Sequence, residues 1–281
     1  MIKVATIAGS DASGGAGLEA DLKTFEEFGL YGMAAVTLIA TMDPNNGWAH
    51  GVFPIGEAAL RAQLETVFRG VGPAAVKSGM LGSGYAVDLC AEFIAGCGVR
   101  GYVLDPVMVC KGAGEALNPE LNAAIGEKLL PLARVVTPNL FEAEQLSGVK
   151  NIVDVEGMKA AAKAICDRGA RAVFVKGGAK LAACGGAARG RAVDVLFDGA
   201  RFELVEGPLV DTRWTHGAGC TTAAAMCAGL AAGLSLMEAV RAAKVFVALS
   251  LSHSFALNEW VGPGNPSAWR VGFLNAKPGM R

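Results

Sequence analysis

The chain's pattern predicts an α/β fold in a single domain, residues 1–281: a mostly parallel sheet with helices on both faces. Three observations predict it. Short apolar runs alternate with helical periodicity along most of the 281 residues. The run Met33–Ala40 is apolar and β-branched, as a buried strand is. The polar clusters that stand out fall where strands end, and parallel sheets bind ligands at those carboxyl ends.

Taken in order, Lys3–Ile7 reads as the first strand and the glycine-rich Ala8–Ala16 as a loop. Leu18–Phe28 is a helix with Leu18, Leu22, Phe25 and Phe28 on one face. After the strand Met33–Ala40 come an amphipathic helix, Glu57–Phe68, a short strand, Ala74–Lys77, and a helix, Tyr85–Ala95. The strand Tyr102–Leu104 is ended by Asp105-Pro106. Asn122–Leu130 is helical, Val135 and Val136 are strand, and Val155–Arg168 is a strong helix. Ala172–Val175 is a strand ended by Lys176-Gly177-Gly178. Ala192–Phe197 and Arg201–Val205 form a hairpin turning at Asp198-Gly199. Two alanine-rich helices close the fold. No linker or internal repeat divides the chain.

Composition excludes several classes of function. The net charge of −1 gives no field for nucleic acid. No apolar stretch reaches membrane-spanning length. Seven cysteines without metal-ligand spacing fit reduced thiols in a cytoplasmic protein, and three histidines do not make a histidine-rich metal site. Met1-Ile2-Lys3 leads into a strand, with no signal peptide.

Thr215-His216-Gly217-Ala218-Gly219-Cys220-Thr221-Thr222 is the most informative stretch. It is a glycine-rich turn running into the helical segment Ala223–Ala232. A helix start offers unpaired N–H groups and partial positive charge, and glycines let the backbone close on an anion. Cys220 lies inside this turn, where the helix start is expected to lower its pKa. The run reads equally as a connection before a buried helix, with Cys220 as a small apolar residue. No P-loop motif and no strand-following G-x-G-x-x-G is present, so neither common nucleotide fingerprint applies. Lys176 ends a strand beside two glycines, placed to meet a phosphate as a point charge. Asn139 and Glu142, three apart at a strand-to-helix transition, suit Mg²⁺ near a phosphate or a helix capping box, and spacing alone favours the box. Asp105 before proline is a turn former, and Gly112-Ala113-Gly114 after it suggests a mobile flap.

The run Gly9-Ser10-Asp11-Ala12-Ser13-Gly14-Gly15-Ala16-Gly17-Leu18-Glu19-Ala20-Asp21 resembles the opening signature of the hydroxymethylpyrimidine kinases, in the ribokinase superfamily. Asp105-Pro106-Val107-Met108, Thr137-Pro138-Asn139-Leu140-Phe141-Glu142-Ala143, Lys176-Gly177-Gly178 and His216-Gly217-Ala218-Gly219-Cys220 continue the resemblance in order over nearly the whole chain. Within that branch, Thr41-Met42-Asp43, Trp48-Ala49-His50, Val107-Met108-Val109-Cys110-Lys111-Gly112 and Asn118-Pro119 resemble the pyridoxal kinases of the dual-cysteine type. The pyrimidine enzymes usually carry glutamine where this chain has Met42, and alanine at Cys110.

The resemblance implies a ribokinase-like three-layer αβα sandwich with a small hairpin and flap. It implies ATP as donor, Mg²⁺, a small-molecule acceptor with a hydroxymethylated ring, and a homodimer. It places Gly217, Gly219 and Cys220 at the migrating phosphoryl group, with Ala218 and Thr221 beside it. Cys220 stands where most of the superfamily has aspartate, as acid/base. Lys176, Asn139 and Glu142 are then expected at the nucleotide, and Asp105 and Glu142 at the metal. Gly9, Asp21, Met42, His50, Met80 and Val107 are expected to line the acceptor pocket with Cys110. The Cys110 thiol can add reversibly to the pyridoxal aldehyde, which a pyrimidine substrate lacks. The implied activity is phosphorylation of pyridoxal at its 5′-hydroxymethyl group. The alternatives are a hydroxymethylpyrimidine or phosphomethylpyrimidine kinase and a non-catalytic B6 or nucleotide sensor. The intact Lys176, Asn139, Glu142 and Cys220 set argues against a sensor.

Overall fold

Nine strands form one sheet in the order β3-β2-β1-β4-β5-β6-β7-β8-β9. They are β1 (Lys3–Asp11), β2 (Tyr31–Asp43), β3 (Ala49–Pro54), β4 (Ala75–Ser78), β5 (Gly101–Leu104), β6 (Val135–Val136), β7 (Val173–Lys176), β8 (Arg191–Phe197) and β9 (Phe202–Pro208). The structure is a computed structural model and describes residues 1–108, 119–183, 190–268 and 270. Cys110 and the rest of the expected flap, Lys111 to Gly114, lie outside the described residues, as does Asn118.

The pairs from β2 through β1, β4, β5 and β6 to β7 are parallel, and β3, β8 and β9 add antiparallel edges. This is the expected α/β class with a mostly parallel sheet. The chain reverses direction across the sheet between β1 and β4, and ligands bind at such a switch point.

The helices are α1 (Gly17–Glu27), α2 (Glu57–Leu64), α3 (Gly84–Gly96), α4 (Pro119–Lys128), α5 (Leu140–Ser147), α6 (Val155–Asp167), α7 (Gly178–Ala183), α8 (Ala218–Ala231) and α9 (Leu236–Ser252). Two apolar clusters fill the two faces. One joins α2 to α6 with Ile7, Val76, Leu104 and Val136. The other joins α1, α8 and α9 with Val4, Ala75, Val103 and Phe246. Alternation along a strand sends Ala75 and Lys77 to the α1/α8 face and Val76 and Ser78 to the other. From Ala223 to Gly229 every residue of α8 is buried, so α8 is a core helix, and its alanines let it lie close on the sheet.

The structure departs from the sequence reading at several elements, among them α5, α7 and a β2 that runs on through Met42 to Asp43. β1 continues four residues past Ile7, carrying Gly9-Ser10-Asp11 into the sheet. The antiparallel edge strand β3 falls where the sequence reading assigns no element. The helix expected to end at Phe68 becomes a π-helical turn, Glu65–Val71. Among the described residues no helix is long and apolar enough to cross a membrane.

Candidate active site

α8 begins without a side-chain cap, and its cap residue Gly217 is left-handed at φ 75°. A Cβ there would lie 2.0 Å from the Gly15 carbonyl oxygen, so both conformation and contact require glycine. The Ala218 N–H donates to the Thr215 carbonyl at 3.2 Å and the Thr221 N–H to the Gly217 carbonyl at 2.9 Å. The Ala218 N–H expected at the phosphoryl group is therefore spent on backbone, and the Thr221 amide is likewise taken. Those of Gly219 and Cys220 have no partner among the described residues. They are the free donors of the helix start.

Lys176 ends β7 and is largely buried. Its Nζ lies 3.0 Å from Asp105 Oδ1, just past β5. A Cβ on Gly219 would be 3.4 Å from the same Nζ, so the ammonium is lodged between the carboxylate and the first turn of α8. Burial works against that charge, but Asp105 and Glu142 outweigh it and the Lys176 pKa is raised. Burial likewise opposes ionisation of Asp105. Lys176, then Lys77, overcome it and hold the carboxyl below its ordinary value, with the Thr137 hydroxyl donating at 3.2 Å.

Asn139 and Glu142 form a complete capping box for α5. The Glu142 N–H donates to Asn139 Oδ1 at 2.9 Å, and the Asn139 N–H to Glu142 Oε2 at 2.8 Å. Burial pushes Glu142 up to about 7, against the pull of Lys176 and with repulsion from Asp105 adding to it. The residues fit a metal of one kind. No group of three or more histidine, cysteine or acidic side chains that could hold an ion exists among the described residues. One or two carboxylates beside a phosphate site suit Mg²⁺, which keeps most of its water.

Cys220 is partly exposed at the first turn of α8. The expectation of a depressed thiol is overturned: burial pushes Cys220 up to about 11, more than Lys77 and the Gly17 N–H pull it down. The helix start adds donors for an anion but does not compensate the lost water.

The expected acceptor residues lie on β1, β2 and β3 or just after β4 and β5. Gly9 packs under Leu38, and its carbonyl would be 2.3 Å from a Cβ on Gly17. Met42 on β2 is paired with His50 on β3. His50 is half-buried and its pKa is lowered, by burial first and then by His216, against the pull of Asp11. Met80 follows β4, and its carbonyl accepts from the Thr37 hydroxyl at 2.7 Å. The Val107 N–H donates to the Asp105 carbonyl at 2.8 Å. Asp21 is the exception: it is 0% exposed and does not line the pocket. It lies on the inner face of α1, accepting from Thr6 Oγ1 at 2.6 Å and Lys77 Nζ at 2.9 Å.

Two largely buried polar pairs escape sequence reading. His216 Nε2 meets Asp11 Oδ2 at 2.7 Å, joining the end of β1 to the turn before α8 across 205 residues. Although burial opposes it, His216 and Ser13 hold Asp11 at about 2. Lys77, a lysine inside the core, makes the other with Asp21. Nothing local marks Lys77, and the glycine-rich run that follows His216 does not reveal its partner.

Residues 11–265 match the family described as phosphomethylpyrimidine kinase. The chain belongs to that family. It is 51% identical to the pyridoxine kinase of Bacillus subtilis over 96% of this chain and 98% of the relative. Among solved structures, an ADP complex of Bacillus subtilis pyridoxal kinase superposes with TM-score 0.91 at 50% identity, covering 96% of this chain and 99% of that one. The Staphylococcus aureus pyridoxal kinase in complex with AMP-PCP and pyridoxal gives 0.89 at 43% identity, covering 96% and 95%.

Proposed function

We propose that this chain is a vitamin B6 kinase, transferring the γ-phosphoryl group of ATP to the 5′-hydroxymethyl oxygen of pyridoxal, with pyridoxine and pyridoxamine as weaker substrates. One observation carries the phosphotransferase reading: the Lys176 ammonium lies between a buried carboxylate and the uncapped first turn of α8. The lysine and the unpaired amides of Gly219 and Cys220 lie at the same helix start. Relatives named pyridoxine and pyridoxal kinase, together with Met42 and Cys110 in the sequence, favour B6 over the pyrimidine named by the family.

Phosphoryl transfer needs position and charge neutralisation more than covalent help. The Gly219 and Cys220 amides meet the migrating group, and Lys176 exchanges part of its contact with Asp105 for the donor phosphates. Glu142 and Asp105 would hold hydrated Mg²⁺, which supplies charge neutralisation at the phosphates. The acceptor oxygen bonds to phosphorus as the bond to ADP breaks. Its proton goes to the thiolate fraction of Cys220. A homodimer working in the cytoplasm completes the reading; light scattering and cell fractionation test it.

The deciding experiment couples ADP production to an absorbance change and compares pyridoxal, pyridoxine and hydroxymethylpyrimidine. Cys110→Ala should reduce kcat/KM for pyridoxal at least ~10-fold more than for pyridoxine, because only the aldehyde can form a hemithioacetal. The pyridoxal absorbance should shift on binding to the wild type and not to the variant. Turnover of hydroxymethylpyrimidine with none of any B6 vitamer would overturn the B6 reading in favour of the pyrimidine kinase.

A further inference from the structure

Lys77 and Asp21 form an ion pair in which both side chains are 0% exposed. Such a pair is expensive to desolvate, and apolar residues of the same volume usually serve stability as well or better. Its location suggests another use. Lys77 lies near the end of β4 with its side chain on the α1/α8 face, and Asp21 reaches it from α1. Thr6 on β1, the register partner of Lys77, braces the same carboxylate oxygen. Gly79 makes room: a Cβ there would come within 2.7 Å of Lys77 Nζ. α8 packs against α1, β1 and β4, and Cys220 in its first turn acts on this charge. The charged and titratable groups facing it are Asp21 from α1, Cys220 from α8 and Asp105 after β5. Cys227, about two turns further along α8, faces the pair as well. Burial works against the Lys77 charge, but Asp21, Cys220 and Asp105 outweigh it and keep the lysine protonated.

We infer that Lys77 is a positioning residue for phosphoryl transfer: a fixed positive charge, clamped by Asp21 under the first turn of α8, that favours negative charge at Cys220 and at the phosphoryl group above it. Lys77 touches neither substrate in this arrangement. It extends the positive end of α8 from below, where Lys176 extends it from the side, so the anion site is bracketed by two lysines of different kinds. Lys176 is reachable from the cleft, whereas Lys77 is sealed from water and screened little by salt. Asp21, expected in the pocket lining, instead holds the lysine in place and tempers its field.

The inference rests on the kinase reading for its catalytic half, so the test has a readout independent of turnover. Alkylation of Cys220 by iodoacetamide at pH 8.5, followed on the Cys220 peptide by mass spectrometry, reports its thiolate fraction. Lys77→Met should slow alkylation about tenfold, the change expected for a one-unit rise in thiol pKa. Asp21→Asn should accelerate it, because the carboxylate opposes the lysine. A purely structural pair predicts the same direction for both variants, through loosening of the site. In the kinase assay Lys77→Met should lower kcat about tenfold or more with KM for ATP within about twofold, the signature of an interaction made in the transition state. Alkylation unchanged in both variants, or accelerated in both, overturns the inference even if the protein proves to be a kinase of another acceptor. If Lys77→Met does not fold, Asp21→Asn decides alone: no acceleration refutes the proposal.

Discussion

Cys220 and Glu142 show how burial sets chemistry one residue at a time. With its thiol pushed up to about 11, chiefly by burial, Cys220 holds its proton at neutral pH. If its thiolate accepts the acceptor proton, kcat should climb roughly tenfold per pH unit from pH 7 to 9, since the thiolate fraction does. Cys220→Ala should flatten that climb and lower kcat by about 10²-fold while ATP binding survives, because the backbone donors remain. A pH-rate profile of both proteins settles it; an unchanged slope in the variant leaves only the backbone hole. Glu142 is raised to about 7, so the folded protein holds this proton more tightly than the unfolded chain does. Its contribution therefore favours folding most at low pH and is lost as pH rises from the ordinary carboxyl range through 7. Glu142→Gln keeps an acceptor for the Asn139 N–H and removes the charge. At pH 8 it should match or exceed wild-type stability, by on the order of 1–3 kcal/mol at most, yet need several-fold more Mg²⁺. Glu142→Ala loses the capping box and should cost about 1 kcal/mol. If Mg²⁺ dependence is the same in wild type and Glu142→Gln, the carboxylate is a cap and nothing more.

The α8 start separates two glycines that look alike in the sequence. Gly217 is left-handed and would place a Cβ 2.0 Å from the Gly15 carbonyl, whereas Gly219 lies within the helix and would place one 3.4 Å from Lys176 Nζ. Gly217→Ala should destabilise the protein by more than about 1 kcal/mol, since the strained backbone and the clash add. Gly219→Ala should be neutral or stabilising by up to about 1 kcal/mol, as alanine favours the helix, and yet lower kcat by crowding the phosphate site. Paired thermal melts and kinetics distinguish the two; equal loss of stability would mean both glycines are packing residues. The same element explains what the sequence could reveal. A glycine-rich turn entering an unbroken alanine run signals a buried helix with an open N-terminus, and the apolar parallel strands are equally plain. β3 was not legible, because Ala49-His50-Gly51-Val52-Phe53-Pro54 has no clean alternation and ends in proline, as an edge strand can. The π-helical turn escaped because its extra residue per hydrogen bond leaves the apolar spacing almost unchanged. The partners of His216 and Lys77 escaped because neither contact, across 205 and 56 residues, leaves a local trace. The error about Cys220 came from weighing the helix start without the desolvation that only packing reveals.

Across the whole molecule the site divides at the sheet's switch point. The half built on β1, β2, β3 and β4 carries Gly9, Met42, His50 and Met80, and the half built on β5, β6 and β7 carries Asp105, Asn139, Glu142 and Lys176. α8 starts between them, with Gly217 against Gly15 on one side and Gly219 against Lys176 on the other. Two half-sites on separate strands should bind their ligands separately and meet only at the phosphoryl group. Pyridoxal alone and a non-hydrolysable ATP analogue alone should each stabilise the wild type. At about 100 times Kd, either ligand adds about 2.7 kcal/mol and raises Tm by roughly 5–10 °C for a chain of this size. If Lys176 meets the donor phosphates as proposed, Lys176→Met should lose most of the nucleotide shift and keep the pyridoxal shift, because β7 lies far along the sheet from Met42 and His50. Thermal shift with each ligand and each protein gives a four-way comparison. Loss of both shifts in Lys176→Met would mean that this lysine holds the ends of β5 and β7 together as a structural ion pair with Asp105, and the division of the site at the switch point would then be wrong.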